Sequence, residues 1–132
     1  MVPLPPGAQE WTAAERELAI AVLSGDTVVV NVRKAGPHKR LVPWLVSEGL
    51  LTYVGHAGTR HEWPESAFAN PFLKMAGTDR AGMLSRYREW LHDHPSLLSR
   101  VPKELAGRAL GCWCAPASCH ADVLAEEARH AG

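Results

Sequence analysis

The sequence predicts a small three-layer, Rossmann-like α/β domain with a largely parallel sheet. One observation is the β-branched run from Thr27 to Val32, which is typical of a central strand covered on both faces. A second is the order of predicted elements (helix, strand, strand, helix, strand, helix), which suits parallel strands joined by helices. With 132 residues, 46% of them hydrophobic, the chain can form one core. We therefore expect a single domain over residues 1–132, with an irregular proline-rich arm over residues 1–10.

The element boundaries follow from capping residues and hydrophobic periodicity. Thr12 and Glu15 have the capping-box form, with Trp11 as a candidate staple, and predict a helix from Ala13 to Leu23. The other predicted elements are a helix within 41–51 interrupted by Pro43, a strand over 51–54, a helix over 79–92 capped by Thr78, a short helix at 95–98, a brief turn at 102–106, a strand over 110–114, and a helix over 119–129 capped by Ser118. Segment 56–71 has no clean period, and a loop of this length is usually functional or mobile, so we expect it to form a lid or a wall of the site.

Charge and composition exclude several classes of partner. Fourteen basic residues balance fourteen acidic ones, so no electrostatic footprint for nucleic acid stands out. The basic cluster over residues 33–40 is short and indicates a solvated loop. The sequence shows no secretory segment and no apolar run near the roughly 20 residues that span a bilayer, and its three cysteines suit a reducing compartment. We expect a soluble cytoplasmic protein without a nucleic-acid or membrane partner.

The segment 108–122 contains all three cysteines and predicts a ligand site. Cys119 and His120 stand at the predicted start of the last helix, where free backbone N–H groups and the helix dipole can bind an anion. The same field would lower the pKa of the Cys119 thiol. Cys112 and Cys114 fall in the preceding strand, and Asn31 falls near the end of the Thr27–Val32 strand, where open α/β sheets usually bind ligands.

Several segments resemble an uncharacterised domain family common in phages and actinobacteria. The resemblance rests on Asn70-Pro71-Phe72, on Tyr87-Arg88-Glu89-Trp90-Leu91, and on Gly111-Cys112-Trp113-Cys114 followed by Cys119-His120, with support from Val30-Asn31-Val32-Arg33 and Tyr53-Val54-Gly55. It spans about residues 28–128 and implies a fold class but no settled activity. Where family members have Gly-Arg after the second strand, this chain has Gly55-His56 with Arg60 nearby, and Phe68 stands at the aromatic position before Asn-Pro-Phe.

The favoured hypothesis is an enzyme that binds a phosphorylated small molecule, most specifically a nucleotide, and hydrolyses or transfers a group from it. The reaction could take place at an N-glycosidic bond, which needs a carboxylate such as Glu65 or Glu62. Planar rings could stack on Phe68, Phe72 or Trp63. The candidate ligand-binding residues are Asn31, Arg33, Gly55, His56, Arg60, Phe68, Asn70, Phe72, Cys114 and Ser118, and the candidate catalytic residues are Cys119, His120 and Glu65. No cofactor and no metal are expected.

Two alternatives stay open. The first is a metal-binding or thiol-redox module built on Cys112, Cys114, Cys119 and His120, whose residue types suit zinc or an iron–sulfur cluster. Its spacing is unfavourable for metal, because Cys112 and Cys114 point to opposite faces of a strand. The second is a domain that binds a small ligand or a protein partner and catalyses nothing.

Overall fold

The protein is a mixed α/β chain with an all-parallel sheet. The computed structural model describes residues 4–57 and 63–130. Within them the elements are α1 (Ala13–Leu23), β1 (Val28–Asn31), α2 (Leu41–Ser47), β2 (Leu51–Tyr53), α3 (Arg80–His92), α4 (Pro95–Leu105), β3 (Ala109–Cys112) and α5 (His120–His130), with 3-10 turns at Ala8–Glu10 and Leu73–Met75. None of the described helices is long and apolar enough to cross a bilayer.

The three strands lie in the order β1-β3-β2, so β3 is the central strand. Asn31 is in register with Cys112, and Tyr53 with Gly111, which brings the carboxyl ends of all three strands to one edge of the sheet. The prediction that the Thr27–Val32 run forms the central strand is wrong. Its β-branched residues are covered by helices, as expected, but covered faces do not determine which strand lies at the edge.

Alternate strand residues pack into two different core clusters. Val28 and Val30 pack with residues of α1 and α2, whereas Val29 and Leu110 pack with residues of α3, α4 and α5. Both faces of the sheet are therefore covered. Among the residues that the structure describes, the sheet has three strands.

A buried carboxylate joins α1 to α2. Glu15 is 1% exposed and closes the predicted capping box: its Oε1 accepts from the Thr12 N–H, and its own N–H donates to Thr12 Oγ1. Its Oε2 accepts from the backbone N–H groups of Arg40 and Leu41 at the start of α2, both at 2.9 Å. Burial opposes ionisation, but these hydrogen bonds outweigh it and lower the pKa of Glu15.

Some predicted boundaries and contacts are wrong. Trp11 does not staple α1, because the residue at the staple position is Arg16; it packs instead against Trp44, with ring centroids 5.6 Å apart and planes inclined by 57°. Segment 95–105 is one helix that contains Pro102, because its buried positions, Val101 and Leu105, hold the last turn against the core. The N-terminal arm is not wholly irregular, since residues 8–10 form a 3-10 turn, and the cap of α3 is Asp79 rather than Thr78.

Candidate functional site

The candidate site lies at the edge of the sheet where the strands end. A groove of about 480 Å³ opens there beside the end of β1. Its described lining consists of three cations, one indole and four aliphatic side chains: Arg33, Lys34, Lys39, Trp63, Val32, Val42, Pro43 and Val46. No acidic side chain is among these lining residues, and none of the three cations forms an ion pair with another described residue. The groove is therefore suited to an anion with an apolar part.

The loop after β1 contains Arg33, Lys34 and Lys39 and is called the cationic loop below. Asn31 holds this loop in place. Its Oδ1 accepts from the Arg33 N–H at 2.9 Å, and its Nδ2 donates to the carbonyl oxygens of Ala115, at 2.8 Å, and Trp113, at 3.3 Å. Its backbone N–H donates to Nδ1 of the buried His38 at 2.8 Å. Through these side-chain hydrogen bonds, Asn31 connects the loop after β1 to the loop after β3 and positions Arg33.

His38 is neutral in this arrangement. Because its Nδ1 accepts a hydrogen bond from Asn31, the ring proton is on Nε2. Burial lowers the pKa of His38, and the nearby Glu15 carboxylate opposes this shift only partly. The residue thus adds no positive charge to the cationic loop on which it lies.

The Arg33 guanidinium is oriented by Trp113. Its Nε donates to the Trp113 carbonyl oxygen at 3.1 Å, and its Cζ lies 5.9 Å from the centroid of the Trp113 ring. Trp113 Nε1 in turn donates to the Tyr53 hydroxyl at 2.6 Å, and this hydroxyl donates to the His56 carbonyl oxygen at 2.5 Å. Arg33 therefore has a partly fixed side chain at the mouth of the groove, which reduces the entropy lost on binding a ligand.

Tyr53 also supports the indole of the groove. The rings of Tyr53 and Trp63 stack, with centroids 5.3 Å apart and planes inclined by 25°. Gly55 allows the Tyr53 side chain to fold over the backbone, since a Cβ at position 55 would lie 2.6 Å from the Tyr53 hydroxyl oxygen. Gly55 is thus placed beneath Tyr53 and shapes the wall without presenting a side chain.

An ion pair lies beyond Tyr53, in the loop after β2. His56 Nδ1 donates to Glu65 Oε2 at 2.9 Å, and His56 Nε2 donates to the Asn70 carbonyl oxygen at 2.7 Å. Since both partners can only accept, the ring holds both protons, and the bond to Asn70 followed by the pairing with Glu65 raises the pKa of His56. The Ala57 N–H, which donates to Glu65 Oε1, and His56 together lower the pKa of Glu65. The pair is partly exposed and offers an ionised carboxylate to a ligand or a water.

A family comparison covers most of the chain. The family model "Domain of unknown function (DUF4326)" matches residues 39–130. The chain belongs to this family. No curated protein and no solved structure matches it. The resemblance to an uncharacterised domain family is thereby confirmed, and the family description assigns no activity to the groove or to the ion pair.

The start of α5 in this DUF4326 chain differs from the expected anion site. The helix begins at His120, and the Asp122 carboxylate accepts from the Cys119 N–H at 2.8 Å, so a negative charge already occupies the first turn. Ser118 is not the cap; its carbonyl oxygen accepts from the Arg80 guanidinium. The Asp122 side chain thus caps the start of its own helix, and this arrangement does not favour the binding of a further anion.

The expected lowering of the Cys119 pKa is wrong. Cys119 is 1% exposed, and its hydrogen bond to the Cys112 thiol together with burial raises its pKa. His120 is also buried: its Nε2 donates to the Val54 carbonyl oxygen at 2.7 Å, and burial lowers its pKa to about 4. This geometry gives both side chains structural partners in the core, and their catalytic roles stay predictions.

The other predicted ligand-binding residues are spread around the sheet edge. Phe68 is in the core, with Arg100 over its ring at 5.4 Å, and Phe72 packs against the same cluster. Asn70 Oδ1 accepts from the Phe72 N–H at 2.9 Å, and Asn70 Nδ2 is the buried side-chain nitrogen that lacks a partner among the described residues. Cys114 is half-buried against the core. Arg60 and the alternative carboxylate Glu62 lie outside the described residues.

Sequence reasoning missed Lys34, Lys39 and Tyr53 as site residues. The basic run after the first strand was the available signal, because a strand end followed by three cations within seven residues is a place for an anion. Tyr53 had no such signal, since its role depends on contacts with Trp63 and Trp113, which lie farther along the sequence. Within the described ranges, no group of three or more His, Cys, Asp or Glu side chains is arranged to hold a metal ion.

Proposed function

We propose that this DUF4326 chain binds a phosphorylated small molecule, specifically a nucleotide, in the groove beside β1, and hydrolyses or transfers a group from it. One observation carries the proposal: three cations and an indole surround one groove whose described lining has no acidic side chain. Guanidinium and ammonium groups are the usual protein donors to phosphate oxygens. A cytoplasmic location and a three-layer, Rossmann-like arrangement are further parts of this proposal.

The arrangement of the loop supports phosphate binding. Arg33 is held by its Nε, which leaves the terminal guanidinium nitrogens without a described partner, and Lys34 and Lys39 lie on the same groove. Because these cations are exposed, their attraction for an anion is screened by salt, and binding should weaken as ionic strength rises.

The reaction in this proposal uses the Glu65 carboxylate. At an N-glycosidic bond, Glu65 accepts a proton from a water whose oxygen bonds to the anomeric carbon. The bond to the base breaks with its electron pair on the base nitrogen, which takes up a proton from solvent. His56 keeps Glu65 ionised and oriented through the 2.9 Å contact between them. Tyr53 links the groove to the His56–Glu65 pair, since its ring stacks on Trp63 and its hydroxyl donates to the His56 carbonyl oxygen.

Calorimetric titration with AMP, ribose 5-phosphate and inorganic phosphate tests the binding step. Arg33→Ala should weaken binding of all three compounds about tenfold or more, as expected for loss of a charge-assisted contact. Arg86→Ala is the matched control, because Arg86 is exposed on α3 and does not line the groove. Equal affinity in the wild type and Arg33→Ala would contradict the groove as the phosphate site.

Chromatography of each mixture tests the reaction step. Glu65→Gln should abolish product formation while leaving ligand affinity within about threefold, because it removes the base and keeps the shape of the side chain. Binding without product in the wild type would favour the non-catalytic alternative. Product formation that persists in Glu65→Gln would remove Glu65 from the mechanism.

A second candidate function, thiol redox chemistry, is favoured by the contact between Cys112 and Cys119. Both thiols are free, buried and within hydrogen-bonding contact of each other. Oxidation by glutathione disulfide would join the two sulfurs and release two molecules of glutathione. Peptide mapping without reductant tests it: a Cys112–Cys119 disulfide supports this function, and two unmodified thiols after incubation exclude it.

A further inference from the structure

The chemistry of the groove lining indicates which kind of anion the groove binds, because its charged and its apolar parts are different residues. The cations are Arg33, Lys34 and Lys39, and the remaining described lining is aliphatic apart from one indole, Trp63. No Asn, Gln, Ser, Thr, Asp or Glu side chain is among the described lining residues. Apart from the three cations, which the phosphate engages, and the Trp63 N–H, the described lining offers no side-chain donor or acceptor to the edge of a nucleobase.

Trp63 is placed to stack on a planar ring. One face of its indole is covered by Tyr53, at 5.3 Å and 25°, while Trp63 itself lines the groove and is half-buried. Tyr53 is 8% exposed and is held by hydrogen bonds to Trp113 and His56, so the supporting ring does not move freely. Offset stacking of a third ring on such a pair is favourable for any base, since every base has a π-face.

We infer that this groove recognises the ring and the phosphate of a nucleoside phosphate and does not distinguish the bases. The ring stacks on Trp63 over the apolar floor formed by Val42 and Val46, and the phosphate lies against Arg33, Lys34 and Lys39. This inference rests on the proposed function for its phosphate and adds the substrate class: nucleotides of any base rather than sugar phosphates.

Measured dissociation constants for adenosine, ribose 5-phosphate and the four nucleoside monophosphates AMP, GMP, CMP and UMP test the inference. AMP should bind about tenfold more tightly than ribose 5-phosphate, because stacking of one base contributes about that much or more. The four monophosphates should agree within about fivefold, with the purines at the tight end because of their larger ring area. Trp63→Leu should abolish the advantage of AMP over ribose 5-phosphate, whereas Trp63→Phe should keep most of it.

The outcomes separate this inference from the proposed function. If ribose 5-phosphate binds as tightly as AMP, the phosphate site stands and base stacking is wrong. If one monophosphate binds about fiftyfold more tightly than the other three, ring area does not explain the difference. The groove then recognises the edge of that base, and the inference is overturned. If adenosine binds and ribose 5-phosphate does not, stacking stands and the phosphate part of the proposed function falls. If none of the six compounds binds, both are wrong.

The variants need one check of folding. Thermal unfolding of Trp63→Leu and Trp63→Phe should show cooperative transitions, since Trp63 is half-buried at the edge of its core cluster. The comparison of AMP with ribose 5-phosphate is made within each variant, so a uniform loss of stability cannot produce the expected difference between the two ligands.

Discussion

The buried imidazole of His120 makes the stability of the domain depend on pH. The residue is 6% exposed, its Nε2–H donates to the Val54 carbonyl oxygen, and Tyr87 contacts its ring edge-to-face at 5.1 Å. Burial lowers its pKa from 6.5 to about 4. The unfolded chain therefore binds a proton at His120 more readily than the folded one, and stability is lost as the pH falls below about 6.5.

The size of this effect follows from the two pKa values. A pKa difference between 6.5 and about 4 corresponds to about 3 kcal/mol once the pH is below both values. Between pH 8 and pH 5 the loss is about 2 kcal/mol, because the unfolded side chain is then almost fully protonated and the folded one is not. For a chain of 132 residues this lowers the midpoint of thermal unfolding by about 7 °C.

The His120→Gln variant isolates this contribution. Its amide can donate to the Val54 carbonyl oxygen and does not titrate, so the loss between pH 8 and pH 5 should be smaller by about 2 kcal/mol than in the wild type. Denaturant unfolding at both pH values measures this difference. His130→Gln is the control, because His130 is exposed at the end of α5 and should leave the wild-type pH dependence unchanged. An identical pH dependence in the wild type and His120→Gln would refute the reasoning.

Three further predictions concern single contacts. Glu15→Gln should lower the free energy of unfolding by about 1–3 kcal/mol, measured by urea denaturation, because it replaces a buried carboxylate oxygen that accepts backbone N–H groups with an amide donor. Gly55→Ala should cost about 1–3 kcal/mol and change tryptophan fluorescence, since the new Cβ would lie 2.6 Å from the Tyr53 hydroxyl oxygen; an unchanged stability would show that this wall is not tightly packed. In NMR titration, the His56 pKa should lie above 6.5 and fall in Glu65→Gln, because the ion pair favours the imidazolium form. A His56 pKa that does not respond would mean that the pair does not form in solution.

Local patterns determined much of the secondary structure. The capping box at Thr12 and Glu15 predicted α1, and the structure has α1 over Ala13–Leu23. The β-branched run predicted the first strand, and the structure has β1 over Val28–Asn31. Both succeeded because capping and β-branched packing act over a few neighbouring residues. The extra acceptor role of Glu15 toward α2 was not visible, since its partners are 25 and 26 residues away.

The candidate site was only partly predictable. Asn31 and Arg33 were identified because they follow a strand, and they do lie at the carboxyl edge of the sheet. The expectation for Cys119 failed because a position at a helix start predicts a lowered pKa only for an exposed thiol, and burial beside Cys112 reverses the direction.

The sequence by itself determined the α/β class, the family and most of the helices and strands, since these depend on capping, periodicity and motifs within short segments. The tertiary structure decided that β3 is central, that Cys119 and His120 are buried, and that the basic residues after β1 line a groove with Trp63. Each of these depends on which distant segments meet. Strand order, burial and electrostatic environment are properties of the packed chain, and a local pattern does not contain them.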